Sequence, residues 1–358
     1  MKQESPTSKS AVERINLYDL SPELLEPALR DAVSPPYRIR QIAEWLYGEG
    51  AASFESMSNL PRALREELNE RFTLAAPAVE DRTSPAADLS QKYLFRVAGG
   101  ELIESVYMPM GTRTTLCLSS QAGCAVGCTF CVTGFFGPGR NLSPSEMVGQ
   151  YRILKSDHAI PSGQINVVFM GMGEPLLNLP NLLTTLDILY REISPKRITV
   201  STSGITPGIE AMAQLPVRPN LALSVNAPDR ERREQIMPIT RKYPLEELIA
   251  TLRNYPEERG REITAEYVLL EGFNDAPADA RALARLLRGI KVKLNAIPFN
   301  PDPNLPAWMK RPSEARIDAF ANTAVREGLP VTVRRSKGRE IAAACGQLRG
   351  KTERRQRT

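Results

Sequence analysis

The sequence predicts an α/β protein, a partial (β/α) barrel with a small helical domain in front of it. Three observations carry that expectation. From about residue 110 onward, short β-branched runs alternate with amphipathic helical stretches, the pattern of a parallel sheet with helices outside. Before residue 90 the apolar residues recur at helical spacing instead. At 358 residues, the chain can form one large domain plus a smaller one without covalent staples.

Residues 1 to about 12 are polar and read as disordered. Ser21-Pro22-Glu23 marks a helix start, with proline in the first turn. Ile39, Ile42, Trp45 and Leu46 recur at helical spacing within 37–47, and 60–72 is a third amphipathic piece. Arginines fall on the outer faces of this module. Around the Gly99-Gly100 turn, 92–98 and 102–108 read as a β-hairpin. The expected division is a helical accessory domain over 1–90, a linking hairpin over 91–109, the barrel core over 110–346 and a basic tail over 347–358.

Within the core, a strand at 115–119 feeds a cysteine-rich loop, and 144–154 reads as the helix after it. Further strands are expected at 165–170, 197–201, 221–225, 264–270, 292–298 and 331–334. Helices separate them at 179–191, 207–214, 245–255, 277–288 and 313–327. Six or seven such units point to a barrel left incompletely closed. What ends each strand is informative: Gly171-Met172-Gly173-Glu174, then Ser201-Thr202-Ser203-Gly204, then Ser224-Val225-Asn226, then Asn295 and Asn300. Barrel folds place their sites at the C-terminal ends of strands, and here small and polar groups share that rim with the cysteine loop.

Hydrophobic content of 42% and charged content of 24% are those of an ordinary soluble globular protein. Five cysteines, three of them clustered, argue against a secreted disulfide framework. No run of 18 or more apolar residues is present to span a membrane, and the polar N-terminus has no signal-peptide segment. A cytoplasmic monomer is expected. The net charge of +5 and isoelectric point near 8.9 permit a polyanionic partner such as RNA without requiring one. Basic residues gather at Arg334, Arg335, Lys337 and Arg339, and again at Arg349, Lys351, Arg354, Arg355 and Arg357.

The chemistry centres on Cys124, Cys128 and Cys131, in Gly123-Cys-Ala-Val-Gly-Cys-Thr-Phe-Cys131. Three thiols spaced by three and then two residues can converge from one looped turn. Thiolates suit iron–sulfur clusters, zinc or cuprous copper. A closed structural zinc site wants four ligands, and the sequence's single histidine, His158, lies well past the loop. Three cysteines on a cubane would leave one iron open to a ligand from outside.

The Cys-x3-Cys-x2-Cys spacing, with Phe130 before the last cysteine, resembles the signature of radical S-adenosylmethionine (SAM) enzymes. With Arg140-Asn141-Leu142, Gly171 to Asn178, Ser201 to Gly204 and Ala343 to Leu348 it is similar to the RlmN family, from about Leu17 to Leu348. Those enzymes methylate carbon-2 of an adenosine in 23S ribosomal RNA, in the peptidyl-transferase region, and in many cases of an adenosine in the transfer RNA anticodon loop. The resemblance implies a radical SAM core and an RNA-binding accessory domain. It implies a [4Fe-4S] cluster on Cys124, Cys128 and Cys131, with SAM contacts from Gly173, Glu174, Ser201, Ser224 to Asn226, and Asn300.

Two SAM molecules per turnover are also implied. One methylates Cys345; the other, cleaved reductively, yields a radical that activates that methyl group for addition to the base. The detour has a chemical reason: the amidine carbon C2 is electron-poor and cannot attack SAM as a nucleophile. Cys117 matches the position that forms a transient disulfide with Cys345, and Glu104 the proton acceptor, although either could take the C2 proton. From the residues alone, Glu104 reads equally as an exposed hairpin carboxylate. An electron donor such as flavodoxin or ferredoxin is implied.

Two stretches depart from the family pattern. Ser224-Val-Asn-Ala-Pro228 has Asn226 where the family usually has histidine, and asparagine cannot titrate near neutrality. The segment from Val132 to Gly139 is unusually apolar. Three other readings remain: a Cfr-like carbon-8 methyltransferase, a zinc-stabilised RNA-binding protein without catalysis, and a dithiol redox protein using Cys117 and Cys345.

Overall fold

The strand–helix alternation resolves into a ten-stranded sheet in the computed structural model, which describes residues 14–334 and 346–348. Cys345, the basic residues 335–339 and 349–357, and the expected disorder of residues 1–12 lie outside the described residues. The chain forms two units, one ending at Ala75 and one beginning at Ala76.

In the first unit, β1 (Ile15–Asn16) pairs in parallel with β2 (Phe72–Thr73). Between them run α1 (Pro22–Leu29), α2 (Tyr37–Glu44) and α3 (Arg62–Arg71). Leu25, Leu29, Ile42, Leu46, Phe54 and Leu68 form its interior. Tyr18 is sealed among them, and its hydroxyl reaches the carbonyls of Leu46 and Ala51 at 3.1 and 2.9 Å. Arginines do lie on the outer faces, as Arg40, Arg62 and Arg71 are exposed. Residues 14–75 nevertheless hold seven arginines against ten acidic side chains, so the unit carries net negative charge.

In the second unit the strands are β3 (Ala78–Arg82), β4 (Gln91–Arg96), β5 (Leu102–Met110), β6 (Arg113–Cys117), β7 (Ile165–Phe169), β8 (Ile198–Thr202), β9 (Asn220–Ser224), β10 (Ile263–Leu269), β11 (Val292–Pro298) and β12 (Val331–Val333). They stand in sequence order across the sheet. β3 to β6 are antiparallel, and β6 to β12 are parallel. Six crossovers carry α4 (Pro144–Asp157), α5 (Leu179–Leu189), α6 (Thr206–Ala213), α7 (Arg230–Ile236) with α8 (Leu245–Arg253), α9 (Pro277–Leu286) and α10 (Glu314–Arg326). Among the described strands the sheet does not close, as the alternation predicted.

Three expectations are corrected. Residues 76–90 belong with the barrel unit, where 78–82 is the outermost strand. The hairpin at 92–108 is no separate link; it is β4 and β5 of the same sheet. The strand before the cysteine loop runs over Arg113–Cys117, two residues earlier than expected.

Local chemistry explains the frame that holds the loop. Ser143 and Glu146 form a reciprocal capping box at the start of α4, with Pro144 in the first turn. Glu146 also receives the Arg140 guanidinium at 2.7 and 2.8 Å, so the Arg140-Asn141-Leu142 motif is tied to that helix end. Along β7, Ile165, Val167 and Phe169 are buried in the apolar core, while Val168 and Met170 alternate to the other face.

Pairing register defines that other face. One row runs Lys92, Val106, Cys117, Val168 and Thr199 across β4 to β8. A second runs Ser224, Glu266, Asn295 and Thr332 across β9 to β12. Directly paired residues share a face, so these rows form the concave wall.

Candidate active site

A cleft of about 940 Å³ opens at the C-terminal ends of the parallel strands. Cys124, Cys128 and Cys131 line it together with Gly173, Glu174, Ser201, Ser224, Asn226 and Asn300. The sequence motifs thus meet in one place.

The cysteine loop is folded tightly enough to need glycine. Cys124 N–H donates to Gly137 O and Ala122 N–H to Arg140 O, each at 2.9 Å, which brings two backbone segments together. A Cβ on Gly139 would lie 1.6 Å from the Ala122 carbonyl oxygen. From the far side, Thr129 N–H donates to Ile236 O at 3.0 Å. Val132 N–H donates to Gly346 O at 2.8 Å, and the Thr133 hydroxyl to Leu348 O at 2.8 Å. Gly346 itself lines the cleft.

Burial pushes the Cys124 thiol up to about 12, with the nearby Glu174 and Cys131 charges adding to it. Cys128 is raised well above the ordinary thiol range by burial, then by Cys131 and Cys124, while Arg233 opposes the rise. Metal binding releases such protons, because only the thiolate is a ligand. The donor set fits an iron–sulfur cluster: three soft sulfurs, half-buried, on one cleft wall. Among the described residues no three His, Cys, Asp or Glu side chains gather tightly enough to hold a single metal ion. Thiolates around a multi-iron core stand farther apart than the ligands of a lone zinc. His158 is also committed elsewhere, stacked on Tyr107 at 3.5 Å between ring centroids.

Glu174 is buried and oriented by backbone. Its Oε1 accepts from Leu176 N–H at 3.1 Å and its Oε2 from Ser203 N–H at 2.7 Å. Burial raises its pKa, and these hydrogen bonds oppose the rise. Its remaining lone pairs suit an ammonium group. Gly173, at φ +99°, packs against Gln121, whose side-chain carbonyl accepts from Glu174 N–H at 2.8 Å.

Asn226 sits at φ +58°, a left-handed conformation that asparagine tolerates. Its Oδ1 accepts from Val268 N–H at 2.8 Å, its Nδ2 faces the Met237 sulfur at 3.2 Å, and its carbonyl accepts from Asn274 at 2.7 Å. The side chain shapes the wall. Val225, between two lining residues, is buried in the apolar core, since alternate strand residues face opposite ways.

Cys117 and Glu104 are not on the cleft lining, but both lie on the concave face. Cys117 pairs with Val106 across β5 and β6, and Glu104 is two residues from Val106. Glu104 is 3% exposed, and its carboxylate meets Lys92 Nζ at 3.1 Å. The reading of Glu104 as an exposed hairpin carboxylate is overturned.

Two buried groups escaped the sequence reading. Glu266, on β10, lines the cleft and accepts from Asn295 Nδ2 at 2.7 Å. Burial lifts its pKa to about 7, against the pull of Arg334, Asn295 and Lys293. Arg233, on α7, binds the carbonyls of Ser203, Ser224 and Val225. The polar residue at an inward position of β10 was a usable signal for Glu266; Arg233 lies in a charged run that offers none.

Comparison with known proteins agrees with the geometry. Residues 118–287 match the radical SAM superfamily, and residues 15–74 match the ribosomal RNA large subunit methyltransferase N-terminal domain. The dual-specificity RNA methyltransferase RlmN of Anaeromyxobacter dehalogenans is 44% identical over 93% of this chain and 91% of its own. That of Syntrophus aciditrophicus is 44% identical over 94% and 97%. A crystal structure of a radical SAM methyltransferase from Sphaerobacter thermophilus superposes with a TM-score of 0.88. It is 43% identical and covers 94% of this chain and 99% of that one.

Proposed function

The chain belongs to the RlmN family of radical SAM proteins, and from that premise we propose that it methylates carbon-2 of an adenosine in 23S ribosomal RNA and of an adenosine in transfer RNA. The methyl group is carried on Cys345. One observation carries the reading: a single cleft collects the three loop thiols, the buried Glu174 and Gly346, the residue covalently next to Cys345.

When bound, a [4Fe-4S] cluster on Cys124, Cys128 and Cys131 supplies the electron that cleaves SAM reductively. Glu174, held by two backbone N–H groups, accepts from the SAM ammonium. Ser201, Ser224 and Asn300 present polar groups to its nucleoside and carboxylate, and Asn226 keeps the strand end in register with β10. Met170, Val268, Ile297 and Phe299 supply the apolar lining and exclude water.

Glu104 takes the C2 proton: a desolvated carboxylate beside an ammonium suits a base that must act out of water. The Cys117 thiolate then attacks the Cys345 sulfur. A disulfide forms as the carbon–sulfur bond to the product breaks, and the electron pair of that bond leaves with the product, which takes up a proton as its new methyl group. RNA supplies the target base after it leaves its stack.

The test incubates anaerobically reconstituted protein with methyl-labelled SAM. Label is expected on the peptide bearing Cys345 before any RNA is added, and 2-methyladenosine after RNA is added. An unlabelled peptide would sink the carrier role, and 8-methyladenosine would move the chain to carbon-8 chemistry.

A further inference from the structure

Arg233 has no task in the chemistry above, yet it is 0% exposed. Four of its five N–H groups go to neutral oxygens. Nε donates to Val225 O at 3.1 Å, Nη1 to the Thr240 hydroxyl at 2.6 Å, and Nη2 to Ser203 O and Ser224 O at 2.5 and 3.0 Å. None of these partners is a carboxylate. Its neighbours on the same short helix differ: Arg230 pairs with Glu234, and Arg232 with Asp229 and Asp279.

A guanidinium withdrawn from water without a counter-ion is costly, so the fold must offer it negative charge. Ser203 and Ser224, whose carbonyls it binds, line the same cleft as Cys128. The charge that would bear on it is therefore the Cys128 thiolate formed when a bound cluster displaces the thiol proton. Burial lowers the Arg233 pKa to about 10, and Cys128 pulls it back up. The same helix reaches the cysteine loop through its last residue, since Ile236 O accepts the Thr129 N–H between Cys128 and Cys131. In a loaded site the iron–sulfur core with its three thiolates would carry net negative charge, and more of it once reduced, with Glu174 alongside. Arg233 is a fully buried cation bound to the backbone of Ser203 and Ser224, two residues that line the cleft.

We infer that Arg233 is a positioning residue and the counter-charge of the cluster site: its guanidinium clamps the strand ends that carry Ser201, Ser224 and Asn226, and it stabilises the electron the cluster accepts. The inference rests on the cluster assignment above. Reduction by a one-electron donor of the dithionite class adds one unit of negative charge, with no bond made or broken in the protein. A nearby fixed cation favours the reduced form, and net charge around a cluster is among the factors that set its potential.

The experiment titrates the reconstituted holoprotein with dithionite and reads the paramagnetic signal of the reduced cluster, for the wild type, Arg233→Gln and Arg233→Lys. Iron and sulfide are counted in parallel. Arg233→Gln should shift the reduction equilibrium at least tenfold toward the oxidised form, about 59 mV lower for a one-electron couple. Arg233→Lys keeps the charge but cannot reach all four oxygens, so its potential should stay within a third of that shift while SAM binding weakens.

A fully loaded Arg233→Gln protein with the wild-type potential would overturn the charge role. If Arg233→Gln does not fold, Arg233→Lys decides: a tenfold loss despite retained charge would overturn it equally. A wild-type protein that binds no iron and sulfide would instead bring down the cluster assignment itself, a separate outcome.

Discussion

Lys92→Met deletes the ammonium that stands 3.1 Å from Glu104 Oε1. The two side chains are 12% and 4% exposed, so water screens the pair little. At an effective dielectric of about 20, the attraction at that separation is about 5 kcal/mol before desolvation. Removing one partner of a buried pair costs about 3–5 kcal/mol net, because the other charge stays in place. Urea denaturation of Lys92→Met should show an unfolding free energy lower by that amount, seen as an earlier midpoint with the slope unchanged. Glu104→Gln, nearly isosteric, removes the opposite charge, and the double variant should be at least about 1 kcal/mol more stable than the sum of the single losses implies. If the single losses add within about 0.5 kcal/mol, the pair does not couple and the reasoning fails. Function offers a second check: Glu104→Gln should still label Cys345 from SAM while losing methylated RNA product.

The remaining predictions concern separate features. Glu266 is protonated more readily when folded than when unfolded, because burial lifts it from 4.5 to about 7. Stability from this group is therefore complete below the unfolded value and falls as pH rises through that window, by about 3 kcal/mol at most; Glu266→Gln should flatten the fall, and a denaturation series from pH 5 to 8 would show it. Gly139→Ala places a Cβ 1.6 Å from the Ala122 carbonyl and should displace the cysteine loop, so iron content after reconstitution should drop severalfold while far-UV circular dichroism changes little. Glu174→Ala removes the acceptor of two backbone N–H groups; each charged hydrogen bond is worth about 1.5–3 kcal/mol, and SAM affinity by equilibrium dialysis should fall at least tenfold. RNA affinity should fall steeply with salt, and a flat salt dependence would count against phosphate contacts.

The barrel was legible because its strands are β-branched runs and its helices are amphipathic, so two periodicities mark the units. The site was legible because each strand ends in small or polar residues, and because three cysteines in one loop are rare for any structural reason. What the sequence hid has physical causes. Helix α7 reads Arg-Glu-Arg-Arg-Glu-Gln-Ile, with too few apolar residues to show a stripe, yet it carries the buried Arg233. Strand β3 is exposed at every position, so no alternation announced it.

Glu104 could not be placed from local sequence, since its burial follows from pairing with Leu94 on β4 and from the turn of β5 toward the concave face. Val225 was grouped with its neighbours by a motif, although strand geometry turns it away. The surplus of acidic groups in residues 14–75 is legible in composition alone, whereas the arginines stand out because they recur on exposed helix faces.

Among the described strands the sheet runs from β3 to β12 without closing, which leaves its hollow side as a half-pipe. A complete barrel fills its middle with interlocking aliphatic layers, and a charge placed there would unfold it. Here Glu104, Thr199, Glu266 and Asn295 occupy the equivalent stations, and the framework is held up from outside by helices packed on the convex side. Away from the Lys92–Glu104 pair, substitutions of the polar residues on the hollow surface should therefore alter what the protein does before they alter whether it folds. Random mutagenesis scored for both properties should find the two classes of lesion separated by strand parity.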